Sequence, residues 1–127
     1  MIGSSRTGKI AAAARRDYAE AIAAVMLDPA KQGKIHELAS DDAFTLQGMA
    51  EAVSAHIGKT IPCHSLPTAE YAKILEGFGL TAGLAYVLAD SHGMSPRRAL
   101  HDDSKTLSKL IDRPTTPMKD TVADALV

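Results

Sequence analysis

Asp102-Asp103-Ser104-Lys105-Thr106-Leu107-Ser108-Lys109-Leu110-Ile111-Asp112-Arg113-Pro114-Thr115-Thr116-Pro117 decides how this chain is read. Leu107, Leu110 and Ile111 recur at helical spacing, so one apolar face runs along about Asp103–Ile111. Asp103, directly before that run, reads as its cap, a carboxylate placed to accept from the free amides of a first turn. Arg113-Pro114 breaks the pattern. Thr116-Pro117 then looks like a new start, a hydroxyl cap followed by proline at the first helical position. Met118, Val122, Ala125 and Leu126 give this last helix its inward face.

The same signals recur upstream. Asp17 with Glu20 resembles a capping box, followed by Tyr18, Ile22, Val25 and Met26 on one face and ended by Asp28-Pro29. Thr45 caps a helix to about Ile57, with Leu46, Met49, Val53 and Ile57 inward and Gly58 as the stop. Thr68–Phe78 carries Tyr71, Ile74, Leu75 and Phe78, with Gly79 ending it. Thr81–Asp90 carries Leu84, Val87 and Leu88 and leads into Ser91–Pro96, the least regular stretch. Strand signals are few. Lys34–Ala39 and Thr60–Leu66 are short, and Pro62 confines the second to a sheet edge. Lys9–Ala14 stays open between strand and helix, because its alanines favour helix while Asp17 reads as a helix start.

Composition bounds what these helices can build. The 127 residues are 46% hydrophobic, yet 22 of them are alanine, and Leu, Ile, Val and Phe together number only 27. Disorder requires a high net charge as well as low hydrophobicity, and here the formal net charge is -1. The expectation is one small folded unit with a thin core. Near-neutral charge excludes an electrostatic footprint for nucleic acid. No run approaches the ~18 apolar residues that span a bilayer. The first residues lack an apolar segment of the secretory type, and a lone cysteine, Cys63, fits a reducing compartment, so a cytoplasmic location is expected.

Motifs that carry chemistry are weak. Gly3-Ser4-Ser5-Arg6-Thr7-Gly8-Lys9 approximates a phosphate-binding loop, but only two residues precede it and Ile10 stands where a hydroxyl is needed, so a glycine–serine turn is the better reading. The histidines at 36, 56, 64, 92 and 101 show no metal-ligand spacing. Asp90, Ser91 and His92 hold the residue types of a triad but are merely adjacent. Arg97-Arg98 has the charge to meet a phosphate or carboxylate, with a solvated loop pair as the plainer alternative.

Three stretches go further: Gly8-Lys9-Ile10-Ala11-Ala12-Ala13-Ala14-Arg15-Arg16-Asp17-Tyr18-Ala19-Glu20-Ala21; Gly33–Ala39 followed by Thr45-Leu46; and the opening Asp102–Pro117 segment. In this order they resemble the C-terminal portion of NmrA-like atypical short-chain dehydrogenase/reductases, and among these the NAD(P)H:quinone oxidoreductases. The resemblance implies an α/β family fragment: a mostly helical substrate lobe with a few short strands, lacking the Rossmann nucleotide-binding half. In the family that half carries a G-x-x-G-x-x-G fingerprint, which this chain does not contain. A C-terminal fragment or truncated reading frame is therefore expected. The resemblance also implies a strand at Lys34–Ala39 that joins the main sheet, and pairing of Lys9–Arg15 with Ile61–Leu66. Two departures bear on loop geometry. Arg98-Ala99-Leu100-His101 replaces a glycine pair, a leucine and an aromatic, and Asp112 replaces a glycine before Arg113-Pro114.

In function, the resemblance implies a substrate-binding lobe for hydride transfer from NAD(P)H to a quinone in the complete protein. No catalytic, cofactor-binding or metal residues are expected in this chain, and no activity from it alone. Phe78, Tyr86, His92 and His101 are the substrate-lobe candidates. Expected partners are the missing Rossmann half or a second copy, and a quinone-like small molecule. The alternative is a redox-sensing or protein-interaction module without catalysis.

Overall fold

The computed structural model describes residues 1–126, and these fall into two compact units. The first comprises Met1–Ile10 and Phe44–Leu100; the second comprises Ala11–Ala43 and the chain from His101 onward. Among the described residues no helix is long and apolar enough to cross a membrane.

The first unit is built on β1 (Ile2–Gly3), α2 (Leu46–Ile57), β2 (His64–Ser65), α3 (Thr68–Gly77) and α4 (Ala82–Gly93); α1 (Arg15–Leu27) lies in the second unit. Thr45 caps α2 by accepting from the Gly48 amide at 3.0 Å, and Gly58 ends it in the left-handed region. Both ends fall where the sequence puts them. β2 pairs in parallel with β1, Ile2 opposite His64 and Gly3 opposite Ser65. This corrects the expected pairing of Ile61–Leu66 with Lys9–Arg15. Lys9–Ala14 is extended, and its one ladder contact is an antiparallel bridge from Ile10 to Phe44.

α3 and α4 form a helical hairpin whose buried residues are alanines: Ala72 on α3, Ala85 and Ala89 on α4. The expected inward stripe of Leu84, Val87 and Leu88 is exposed instead. The reason is steric. Ala85 and Ala89 stand one turn apart, and small side chains let helices approach closely, so the larger ones point away. Phe78, expected to complete the α3 stripe, is likewise exposed.

The second unit holds α1 together with α5 (Thr106–Ile111) and α6 (Met118–Ala125). Its apolar centre is Ala21, Leu107 and Leu110, packed against Ala13, Tyr18, Val25, Leu38 and Ile111. Tyr18 and Val25 thus face inward as expected, whereas Ile22 and Met26 are exposed. Lys34–Ala39 forms no ladder here, and Ile35 in it is 94% exposed.

All three caps read from sequence in this unit are displaced. Asp17 lies inside α1, fully buried, as an acceptor for a distant segment. Its Oδ2 accepts from the Thr116 amide at 2.7 Å, and its Oδ1 from Thr116 Oγ1 at 2.9 Å and Arg113 Nη2 at 2.8 Å. Arg113 also reaches Glu20 Oε2 at 2.7 Å. The neighbouring Thr115 amide donates to Asp41 Oδ2 at 3.2 Å, and its hydroxyl accepts from the Asp41 amide at 2.9 Å. Thr116 is therefore a tether rather than a cap, and α6 begins one residue later, after Pro117. Asp103 does not cap α5 either. Asp102 accepts from the Ser104 amide and hydroxyl, the chain turns through Lys105 at φ 55°, and α5 starts at Thr106.

Asp112 closes α5 in the left-handed region, φ 53°, a conformation that aspartate tolerates better than most residues but that glycine adopts at no steric cost. Replacing Asp112 with glycine removes a side-chain penalty but adds freedom to the unfolded chain, leaving a net gain of about 0.5 kcal/mol. The expected result is a rise of about 2 °C in Tm by calorimetry. An unchanged or lower Tm in that variant contradicts the strain argument.

Candidate functional site

The four substrate-lobe candidates part company in the structure. Phe78 sits at the C-terminal end of α3 and Tyr86 midway along α4, 72% and 63% exposed, both on the outer surface of one hairpin. Leu84 and Val87 are exposed on the same helix as Tyr86, and each exposed ring offers an apolar aromatic surface suited to a planar ligand or to another protein.

His92, in the last turn of α4, turns inward. Its ring lies 5.7 Å from the Tyr71 ring, and its Nδ1 is buried without a hydrogen-bond partner among the described residues. Burial pushes its pKa below the ordinary histidine value, so the ring is neutral at physiological pH. His92 also shapes the backbone beside it. A Cβ on Gly3 would stand 2.6 Å from Leu46 Cδ2 and 2.9 Å from His92 Nδ1, so a larger residue there would have to push the Leu46 and His92 side chains aside. His101 belongs to the second unit, where its Nδ1 lies 3.0 Å from Asp103 Oδ1. Tyr71, the ring partner of His92, is not among the sequence candidates. Helical spacing places Tyr71 inward on α3, but nothing local links it to α4.

The Gly3–Gly8 loop does not have the form of a phosphate loop. Gly8 N–H closes a turn onto Ser5 O at 2.7 Å, and extended chain follows instead of a helix. Gly8 is needed for packing, since a Cβ there would lie 2.5 Å from Pro96 N. A dinucleotide pyrophosphate needs amides at a helix N-terminus reached through a glycine turn. The loop offers no such amides, so it does not fit that group. Among the described residues no three potential ligands gather as a metal site. In the second unit, an apolar groove of about 310 Å³ is lined by Ile22, Val25, Met26, His36, Leu38 and Leu110, with Ala21 at its base.

Comparison with known proteins agrees with the resemblance drawn from the Gly8–Ala21 and Asp102–Pro117 stretches. No protein-family model matches the chain. Quinone oxidoreductase 2 of Escherichia coli (strain K12) is 44% identical over 123 residues, which are 97% of this chain and 43% of that protein. The crystal structure of the NADPH-dependent quinone oxidoreductase from Escherichia coli superposes with a TM-score of 0.93 at 43% identity, over 99% of this chain and 46% of that one. The Citrobacter sp. triphenylmethane reductase reaches a TM-score of 0.87 at 24% identity, over 99% of this chain and 44% of that one, a likeness of fold alone. The chain therefore spans less than half the length of the relatives it matches.

Proposed function

We propose that this chain, which in sequence and fold corresponds to the C-terminal portion of an NmrA-like quinone oxidoreductase, supplies the substrate-binding lobe of an NAD(P)H-dependent protein that reduces quinones in the cytoplasm. The observation that carries this reading is the 44% identity spread over 97% of the chain. When bound, the dinucleotide supplies the hydride; the Gly3–Gly8 loop gives it no cradle, and in the family reading its site lies in the Rossmann half. The contribution of this chain is to hold the acceptor and keep water from it. The exposed rings of Phe78 and Tyr86 each offer a planar quinone a surface to stack on, whereas His92 turns inward toward Tyr71. His101 remains a separate candidate contact in the second unit.

The second unit suits docking against a sheet. Lys34–Ala39 has no strand partners among the described residues, and its His36 and Leu38 line an apolar groove with the exposed Ile22 and Met26. In the family reading, this segment adds to the main sheet of the Rossmann half.

The test uses the purified chain and the N-terminal part of Escherichia coli quinone oxidoreductase 2. The chain alone is expected to show no quinone-dependent NADPH oxidation; mixing the two parts restores oxidation. Quinone-dependent NADPH oxidation by the chain alone overturns the proposal. A second reading, an interaction or redox-sensing module without catalysis, is favoured by the apolar outer face of α3 and α4. It prevails if the mixture stays inactive while the chain sediments as a stable dimer.

A further inference from the structure

Two sequence features that the quinone reading leaves unused meet at one place in the first unit. The glycine–serine loop after β1 and the Arg97-Arg98 pair after α4 both border a pocket of about 240 Å³. Ser4, Arg6, Leu66, Thr68, Pro96 and Arg97 line it, with Pro67 and Gly93. The pocket lies just beyond the C-terminal ends of both parallel strands, since Ser4 follows β1 and Leu66 follows β2. The lining residues include two arginines and no acidic residue, and neither Arg6 nor Arg97 forms an ion pair among the described residues.

Arg6 is the more telling of the two. Its φ is 49°, a left-handed conformation that glycine adopts at no steric cost. Its amide donates to Ser65 Oγ at 3.0 Å, fixing the loop to the end of β2. The backbone is therefore held in a shape that disfavours arginine, and what the residue adds is its guanidinium. The opposite side of the pocket is equally constrained. Gly8 abuts Ser95 and Pro96, and Gly93 abuts Thr68 Oγ1, where an added Cβ would lie at 2.6 Å, so the walls are closely packed. Leu66, Pro67 and Pro96 supply an apolar rim.

We propose that this pocket binds the phosphate group of a small organic molecule, with Arg6 and Arg97 matching a dianion and the Leu66, Pro67 and Pro96 rim receiving its apolar part. Two planar forks suit the oxygens of one phosphate, and charge-assisted hydrogen bonds of this kind are about twice as strong as neutral ones. The first-turn amides of α3, which Pro67 leaves without a side-chain cap, add to the same polarity. The inference does not depend on quinone reduction.

Phenyl phosphate and inorganic phosphate, titrated into the whole chain and followed at the Thr68 and Gly93 amides by NMR, test it. Phenyl phosphate is expected to bind saturably, several-fold tighter than inorganic phosphate, and to weaken as salt screens the arginines. Arg6→Gly is expected to weaken it about tenfold while keeping or raising Tm, because glycine suits the left-handed backbone; Arg97→Gln weakens it similarly. The opposed directions of binding and stability in Arg6→Gly separate loss of a ligand contact from unfolding. Non-saturating shifts, binding indifferent to both substitutions, or inorganic phosphate binding as tightly as phenyl phosphate each overturn the proposal.

Discussion

Replacing Asp17 with alanine is expected to cost about 2–4 kcal/mol, a large share of the stability of a chain this size. The carboxylate is fully buried and accepts three hydrogen bonds, from the Thr116 amide, the Thr116 hydroxyl and Arg113. Truncation strands the buried Thr116 donors and unties the loop between α5 and α6 from α1. Asparagine does not rescue the site, because both oxygens accept and an amide NH2 must face one of the donors. Urea unfolding of the variants at about pH 7 measures the loss, and a cost below ~1 kcal/mol for Asp17→Ala refutes the tether.

The same carboxylate sets an acid limb. Burial alone raises its pKa; the Thr116 and Arg113 hydrogen bonds and the Arg113 charge outweigh burial and hold it below the ordinary aspartate value of 3.8. A depressed folded pKa means the stabilisation is complete above the unfolded value and is lost as pH falls through the folded one. The wild-type chain should therefore lose stability below about pH 4, and Asp17→Ala should lose less over that interval.

The second large effect is expected from Leu107→Ala. Leu107 is the largest fully buried side chain among the described residues, and its neighbours include Ala13 and Ala21. Alanines have no reach with which to close the space left behind, so the cavity term adds to the lost transfer energy, about 3–5 kcal/mol together. Denaturant midpoints with unchanged slope check it. A loss below ~1.5 kcal/mol would mean that the core collapses around the gap and that the scarcity of large apolar side chains does not limit stability.

Where side-chain chemistry acts within a few residues, the sequence alone locates the structure. The Thr45 cap and Gly58 stop bound α2, and the helix expected from about Thr81 does begin there, after Thr81 as its cap. Local reading fails where a polar residue has a distant partner. Asp17, Asp103 and Thr116 all have the residue types of caps, yet Asp17 and Thr116, nearly a hundred positions apart, find one another instead. No local rule distinguishes a carboxylate awaiting a first-turn amide from one awaiting a remote threonine. The apolar stripes fail differently. Helical spacing identifies Leu84, Val87 and Leu88 as a set, but periodicity weighs alanine lightly, and Ala85 and Ala89 take the interior. The candidate site is legible only in part: Phe78 and Tyr86 lie on the outer surface of one hairpin, His92 turns toward Tyr71, and the Arg6–Arg97 pocket depends on two loops far apart in sequence.

The alanine seam of the α3–α4 hairpin divides its residues by what selection can do with them. Ala72, Ala85 and Ala89 set helix separation, and enlarging any of them forces the backbones apart. Phe78, Leu84, Tyr86 and Val87 contribute little to that spacing, so their size and polarity are free to drift at small cost to folding. A hairpin built this way retains its shape while its outer face changes, and related chains can diversify what they recognise without first acquiring a more stable scaffold.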